Sequence, residues 1–195
     1  MNKSFDFYFD FISPYSFLAH KKLKKIEKKT PIKIKYKPIL LGGLHNLHGI
    51  KAPAFIPSKA KFMIRDCKLI AEKNNIRFKF NSYFPIKTVN LMRGVLVAEE
   101  DDYKNYYIDK IFDSIWMDGF NMNDQIVIDK VLKNLNINPK TFTLRCSSQN
   151  IKNQLKKKTD EAFEKGIFGA PTFHINNKIF WGQDRIPYLI DELKK

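Results

Sequence analysis

The sequence predicts a mixed α/β fold in which a long helical segment separates the two halves of one small sheet domain. Three observations lead to this prediction: a strand–helix–strand pattern over residues 4–38, helical periodicity between about 40 and 165, and a hairpin pattern followed by a helix from residue 172. Two strands joined by a crossover helix are expected to run parallel. At 195 residues the chain is long enough for one domain with a large insertion, and too short for two full domains.

The first half begins with a strand over residues 4–10 whose aromatic side chains share one face, namely Phe5, Phe7 and Phe9. A strand this apolar is typical of the centre of a sheet. A helix is expected to begin at Ser13, because serine is a favourable N-cap and Pro14 suits the first helical position. Thr30-Pro31 ends this helix, and the alternating apolar residues that follow predict a second strand.

The middle of the chain has apolar residues at helical spacing, in groups that begin at Met63, Ile108, Ile128 and Ile151. Beyond Gly166, which fits the end of a helix, two short apolar runs flank the turn pair Asn176-Asn177. This pattern predicts a β-hairpin. A last helix is expected from Asp184 to Lys194.

The composition excludes several classes of protein. The chain has 35 Lys and Arg against 20 Asp and Glu, which gives a formal net charge of +15. Only five of these basic residues are Arg, the residue best suited to bidentate contacts with phosphates and base edges. We therefore expect solvated helix faces rather than a nucleic-acid site, although the positive field would attract small anions.

The N-terminal stretch, the cysteines and the histidines bear on cellular location and on metal binding. No apolar run reaches the roughly 20 residues that a transmembrane helix needs, so no membrane partner is expected. Asp6 and Asp10 interrupt the apolar stretch near the N-terminus, and we therefore expect a cytoplasmic protein without a secretory signal. Cys67 and Cys146 belong to no Cys-x-x-Cys pair, so both are expected to be free and buried. The four His residues show no metal-ligand spacing, and no metal site is expected.

Two short motifs carry the chemistry. In thioredoxin-like folds a reactive cysteine pair lies at the N-terminus of the first helix, where this chain has Ser-Pro-Tyr-Ser at residues 13–16. A second motif, Gly-Ala-Pro-Thr at residues 169–172, precedes the hairpin, where such folds place a cis-proline that faces the reactive pair. Because Ser13 and Ser16 cannot form a disulfide, a dithiol oxidase is excluded.

Four segments together resemble the 2-hydroxychromene-2-carboxylate isomerases, relatives of the kappa-class glutathione transferases within the DsbA-like group. The segments run from Phe7 to Ser16, from Ala52 to Lys59, over residues 168–172, and from Trp181 to Arg185. Their order matches the family over essentially the whole chain. The resemblance implies a thioredoxin-like (DsbA-like) fold, with a domain formed by residues 1–39 and 166–195 and an inserted α-helical domain over residues 40–165.

The resemblance also implies a catalytic role for Ser13 and a glutathione cofactor. In this family the glutathione thiolate adds reversibly to a conjugated double bond, the new single bond rotates, and elimination gives the trans product. The Ser13 hydroxyl at a helix N-terminus is suited to stabilising such a thiolate. A plain N-cap is the structural alternative. The resemblance further implies an aromatic or conjugated electrophile as substrate, aromatic compound catabolism and a homodimer.

Further glutathione contacts follow from the resemblance residue by residue, and they comprise Lys59, Ala170, Pro171, Trp181, Gly182, Gln183 and Asp184. Ala170 would offer its backbone to the extended thiol peptide, as an added strand does. The turn at Asp184 would bind the γ-glutamyl end, and the carboxylate of Asp184 could also cap the last helix. Lys59 would pair with the glycine carboxylate.

The chain departs from the family pattern at some of its ligand contacts. The family asparagine that contacts glutathione is either absent here or replaced by Asn46, and His45 aligns near a family lysine that holds the substrate carboxylate. His45 would do so only weakly near neutral pH unless its pKa is raised. Phe84 falls at an aromatic substrate contact, and a core position is an equal alternative. A kappa-like glutathione transferase and a non-catalytic glutathione- or anion-binding module are therefore the alternative functions.

Overall fold

The computed structural model describes residues 3–195, so residues 1–2 of the first predicted domain piece lie outside the described residues. Its sheet has the strand order β2-β1-β3-β4, with β1 at Ser4–Phe9, β2 at Lys33–Pro38, β3 at Thr172–Ile175 and β4 at Lys178–Trp181. β1 pairs in parallel with β2 and antiparallel with β3. The predicted central strand, parallel pair and hairpin are confirmed.

The helices follow the predicted order. The first, α1, spans Pro14–Glu27, and its N-cap is Ser13, whose hydroxyl oxygen accepts the N–H of Ser16. The helices of the middle segment are α2 at Leu41–Leu47, α3 at Pro57–Lys73, α4 at Val89–Glu100, α5 at Lys104–Trp116, α6 at Gln125–Asn134, α7 at Pro139–Ser147 and α8 at Gln149–Glu164. The last helix, α9, spans Ile186–Lys194.

The start of the last helix differs from the prediction. Gln183–Arg185 form a separate 3₁₀ turn, and α9 begins only at Ile186, without a side-chain cap. The expectation that the Asp184 carboxylate caps this helix is therefore wrong. The reason is that the chain enters the turn through Gly182 at φ +107 and ψ 147, a conformation that displaces the helix start by one short turn.

The two faces of the sheet pack differently. Phe5, Phe7 and Phe9 point into a large core that also contains residues of α1, α3, α4, α5 and α9. Tyr8, on the opposite face, belongs to a small cluster with Leu44 of α2 and Ala162 of α8. Alternation along β1 thus sends successive side chains to two separate cores. The division into a domain of residues 1–39 and 166–195 and an insertion of residues 40–165 stays a prediction.

Two further sequence expectations concern single features. Cys67 and Cys146 are free and buried, as predicted, and burial raises the pKa of each thiol to about 12. Both thiols are therefore protonated at neutral pH and unreactive. Within residues 3–195, no helix combines the length and the apolar character that crossing a bilayer requires.

Candidate functional site

The two motifs singled out from the sequence meet in space. The Ser13 hydroxyl donates a hydrogen bond to the carbonyl oxygen of Ala170 at 3.1 Å, across 157 residues of sequence. The Ala170–Pro171 peptide bond is cis, as the motif predicts. Ser13 is 5% exposed, and its oxygen also accepts the N–H of Ser16 at 3.1 Å. A single hydroxyl thus lies between a helix N-terminus and the loop that precedes the hairpin.

The loop before Ser13 is held by a buried carboxylate. Asp10 is 1% exposed, and one of its oxygens, Oδ1, accepts the Ile12 N–H at 3.1 Å and the Thr88 hydroxyl at 2.7 Å. The other, Oδ2, accepts the Leu41 N–H at 2.8 Å. Burial raises the pKa of the Asp10 carboxyl group, and the three donated hydrogen bonds act in the opposite direction. Asp10 therefore ties the loop to the starts of α2 and α4.

The backbone of Phe11 is held from the helical segment. Its carbonyl oxygen accepts the indole N–H of Trp116 at 2.8 Å, and its N–H lies 3.4 Å from the sulfur of Met92. Trp116 is fully buried and stacks on Phe78 at 6.0 Å between ring centroids. Together with Asp10, these contacts fix the path of the chain into Ser13 from three helices.

The loop on the other side of the site is held just as closely. The Thr172 hydroxyl donates to the Gly169 carbonyl at 2.6 Å, and the Gly182 N–H donates to the Pro171 carbonyl at 2.9 Å. Trp181 lies against this loop, because a Cβ at Gly169 would come within 2.7 Å of the indole nitrogen. Glycine is therefore required at residue 169 for the close approach. The indole is 54% exposed, so its outer side is available to a ligand.

The turn at residues 182–184 brings opposite charges together. Lys22 of α1 donates a hydrogen bond to the side-chain oxygen of the buried Gln183. Burial lowers the pKa of Lys22, and the nearby Asp184 opposes this shift. The Asp184 side chain is exposed and lies 3.5 Å from Arg185. Lys22 was missed by sequence reasoning, since nothing distinguishes it among the lysines of α1.

Lys59 lies in the first turn of α3 and is exposed. The position of α3 relative to Ser13 is set by Tyr15, whose hydroxyl donates to the carboxylate of Asp66 at 2.8 Å. Burial and the adjacent carboxylate raise the pKa of Tyr15, so this hydroxyl stays a donor. The third residue of the Ser-Pro-Tyr-Ser motif thus connects α1 to the helix that carries Lys59.

The remaining predicted ligand contacts lie in different parts of the fold. His45 is partly buried on α2, and burial together with the neighbouring His48 lowers its pKa. The condition set from sequence for a cationic His45, a raised pKa, is therefore not met. Asn46 lines a cavity between α2, α4 and α8. Phe84 packs against Trp116 at 6.1 Å between ring centroids, so it takes part in the aromatic packing behind the Ser13 loop.

Sequence reasoning missed the residues that support the site. Asp10 carried a usable signal, because a charged residue directly follows an apolar strand and precedes the serine motif. Ser16 is fully buried, and its hydroxyl has no hydrogen-bond partner within residues 3–195. Trp116 and Lys22 carried no comparable local signal, since only the tertiary fold brings them to the site.

Comparisons with known proteins identify the family of this chain. The family described as DSBA-like thioredoxin domain matches residues 5–194. The chain is 29% identical over 191 residues to a 2-hydroxychromene-2-carboxylate isomerase from Sphingobium xenophagum, with 97% of each protein covered. It is 26% identical over 206 aligned positions to glutathione S-transferase kappa 1 from Caenorhabditis elegans, with 97% of this chain and 90% of the relative covered.

A solved structure of a 2-hydroxychromene-2-carboxylate isomerase superposes with a TM-score of 0.90 at 23% identity, covering 98% of this chain and 94% of the other. This likeness shows the fold. The resemblance inferred from the motifs is confirmed, and the named relatives support an enzyme of the isomerase type. The chain belongs to the DSBA-like thioredoxin domain family.

Proposed function

We propose that this chain is a glutathione-dependent cis–trans isomerase of the 2-hydroxychromene-2-carboxylate type. The observation that carries the proposal is the Ser13 hydroxyl, held between the N-terminus of α1 and the Ala170 carbonyl, where a thioredoxin-like fold has a reactive cysteine. A site with a hydroxyl and no thiol of its own needs a thiol from outside. Relatives named as isomerases and as glutathione transferases support this choice.

The residues present fit glutathione. When bound, glutathione supplies the thiolate that adds to a conjugated double bond and is eliminated after rotation about the new single bond. Ser13 can turn its hydrogen from the Ala170 carbonyl to a sulfur, because its oxygen is already fixed by the Ser16 N–H. A hydrogen bond to the charged form favours ionisation of a thiol, and the N-terminal end of α1 acts in the same direction.

The other predicted contacts suit the two ends of the tripeptide. Asp184 lies near enough to Lys22 for their charges to interact, so the two could complement the zwitterionic end of the γ-glutamyl residue. The Ala170 backbone would pair with the peptide in extended form, beside Pro171 and below Trp181. Lys59 would meet the glycine carboxylate, and Gly182 and Gln183 would shape the turn.

The substrate expected for this site is an aromatic α-keto acid or a related conjugated electrophile. Within residues 3–195 the Ser13 hydroxyl bonds the Ala170 carbonyl and the Ser16 N–H and no basic side chain, which does not suit an acyl-transfer nucleophile. The sequence-based expectations of a cytoplasmic homodimer, of aromatic compound catabolism, and of no nucleic-acid or membrane partner belong to the same proposal.

A kappa-like glutathione transferase is the second candidate, and the similarity to glutathione S-transferase kappa 1 favours it. The same Ser13 and Asp184 would serve both reactions. They differ in whether the adduct leaves the site or eliminates the thiol again. The acceptor substrate therefore decides between them.

The experiment is a calorimetric titration of glutathione into the wild type and Ser13→Ala, paired with an isomerisation assay on 2-hydroxychromene-2-carboxylate. We expect binding and turnover in the wild type, and a loss of about 100-fold or more in kcat in the variant, as for other single donors to a developing anion. Ser58→Ala is the matched control, because Ser58 is exposed in the first turn of α3.

The outcomes separate the candidates. Binding without isomerisation, together with conjugation of an aryl halide, would replace the isomerase by the transferase. Binding with neither reaction would leave the glutathione-binding module. An absence of binding, with the variant folded as judged by circular dichroism, would contradict the proposal as a whole.

A further inference from the structure

The cavity between α2, α4 and α8, which Asn46 lines, includes neither Ser13 nor Ala170 among its lining residues. Its volume is about 420 Å³, within the range of small-molecule sites. Its apolar wall is formed by Leu40, Leu47, Val89 and Leu155. A cavity of this size with one apolar wall suits a compact ring or a branched hydrocarbon.

The same helices, α4 and α8, also bring cationic side chains to this cavity. Arg93, Lys152 and Lys156 line it, with Asp160 as the acidic residue among them. Lys156 pairs with Asp160 at 2.5 Å, which neutralises both. Within residues 3–195, neither Arg93 nor Lys152 lies within 4.0 Å of a carboxylate oxygen. Two positive charges therefore face the cavity without a counter-ion from the protein.

Arg93 also carries a buried hydrogen-bond donor without a partner. One terminal nitrogen donates to the Asn90 side chain at 2.9 Å, whereas the Nε–H is buried and unbonded within the described chain. A buried donor without an acceptor costs free energy, and native proteins rarely leave one unpaired. No water-sized molecule reaches this nitrogen, so a molecule in the cavity would meet the terminal nitrogens of the guanidinium group instead.

The cavity is distinct from the Ser13 site but adjoins its support. Leu40 and Val89 of the cavity wall are the chain neighbours of Leu41 and Thr88, which bond the Asp10 carboxylate. Of the residues predicted from sequence to contact glutathione or substrate, only Asn46 lies at the cavity.

We infer that this cavity binds a small organic anion with an apolar body, an aromatic or branched aliphatic carboxylate. The carboxylate would accept from Arg93 and pair with Lys152, and the hydrocarbon part would pack on the leucine and valine side chains. Arginine is suited to this role because its guanidinium group matches a carboxylate in a two-pronged geometry. The inference does not depend on the proposed function.

The test uses 1-naphthoate as the probe, titrated into the full chain by calorimetry. We expect saturable binding of one molecule per chain, and about tenfold weaker binding to Lys152→Gln, which removes one charge from the cavity wall. Lys157→Gln is the matched control. It makes the same charge change on α8, but Lys157 is exposed, lies outside the cavity and pairs with Glu161 at 3.9 Å.

A pair of glycine variants tests the shape of the site. Gly43 lines the cavity, and the atoms nearest to an added Cβ belong to the Leu40 side chain, at 3.5 Å. At Gly42, outside the lining, an added Cβ meets nothing within 4 Å. Gly43→Leu should narrow the cavity and weaken naphthoate binding, whereas Gly42→Leu should bind as the wild type does. Circular dichroism checks that both variants are folded.

One more variant, a smaller ligand and competition with glutathione distinguish this site from the Ser13 site. Arg93→Lys keeps the charge but loses the planar guanidinium group, so we expect weaker binding. Acetate, which lacks the apolar body, should bind far more weakly than naphthoate. Naphthoate should bind equally well to Ser13→Ala and in the presence of saturating glutathione. Equal affinities for Lys152→Gln and Lys157→Gln, or displacement by glutathione, would overturn the inference.

Discussion

The loop that leads into Ser13 and the exposed segment that includes Phe55 and Lys59 are held in opposite ways. The first is buried and braced by Asp10, by Trp116 and by Met92. The second runs over the surface, with Lys59 exposed and Phe55 61% exposed. Under the proposed function, Ser13, which would be aimed at the reacting sulfur, lies on a rigid support, whereas Lys59, which would meet one end of the ligand, lies on exposed chain.

The difference has an energetic basis. A carboxylate that is removed from water is tolerated only when its oxygens are satisfied, and Asp10 accepts three hydrogen bonds from three separate segments. Those bonds are individually modest, but losing their common acceptor leaves several buried donors unpaired at once. On the exposed segment, water replaces any contact that is lost.

The largest effect is expected at Asp10. Asp10→Asn replaces one acceptor oxygen by an NH₂ group, which would face either the Leu41 N–H or the donors of Ile12 and Thr88. We expect a loss of about 2–4 kcal/mol in the free energy of unfolding, measured by urea titration. Asp6→Asn is the control, on the strand β1 that precedes Asp10. Asp6 pairs with Lys37 at 3.7 Å, and the change should cost less than about 1 kcal/mol. Similar losses of unfolding free energy in the two variants would show that the buried carboxylate does not stabilise the loop.

An effect of intermediate size is expected at Trp116, and the chain's other tryptophan, Trp181, is its control. Trp116→Phe keeps an aromatic ring but removes the bond to the Phe11 carbonyl, so we expect a loss of about 1–3 kcal/mol in unfolding free energy. Trp181→Phe changes a side chain that is 54% exposed and should alter stability by less than about 0.5 kcal/mol. Glutathione titration should show the reverse order, with the larger effect at Trp181. A stability loss at Trp181 equal to that at Trp116 would contradict the comparison.

The smallest effect is expected at His45. Burial lowers its pKa, so the imidazole is neutral at and above pH 7 and supplies no charge to a substrate carboxylate. His45→Gln should therefore leave kcat/KM within about twofold between pH 7 and pH 8.5. A tenfold loss over that range would assign His45 a direct role.

The same pKa shift predicts how stability depends on pH. Because the folded-state pKa of His45 is lowered, the unfolded chain binds the proton first as the pH falls below about 6.5. The wild type should therefore lose stability relative to His45→Gln below that pH and not above it. Urea titrations of both proteins at pH 5.5 and pH 7.5 measure the difference.

Much of the fold follows from local signals. Ser13 with Pro14 predicts the start of α1, and Asn176-Asn177 predicts the hairpin, and the structure has both. These signals succeed because caps and turns depend on the backbone needs of a few neighbouring residues. The start of α9 was not predictable in this way, since the conformation at Gly182 arises from contacts with Pro171.

Less of the site could be predicted. The Ser13 and Ala170 motifs were found because each is a short run of distinctive residues, and the structure brings the two together. Lys22 looks like any other lysine of α1 until the fold places it beside Gln183. Nothing in the sequence distinguishes Arg93 from the other basic residues, and only the fold places it at the cavity between α2, α4 and α8.

The sequence by itself determined the order of strands and helices, the replacement of the reactive cysteines by serines, and the resemblance to a glutathione-dependent family. Only the tertiary structure decided that Asp10 braces the Ser13 loop, that the pKa of His45 is lowered, and that Arg93 faces a cavity without a counter-ion. The reason is physical. Helix caps and turns are set within a few residues, whereas burial and the partners of a charge depend on segments more than 30 residues apart, as between Asp10 and Leu41.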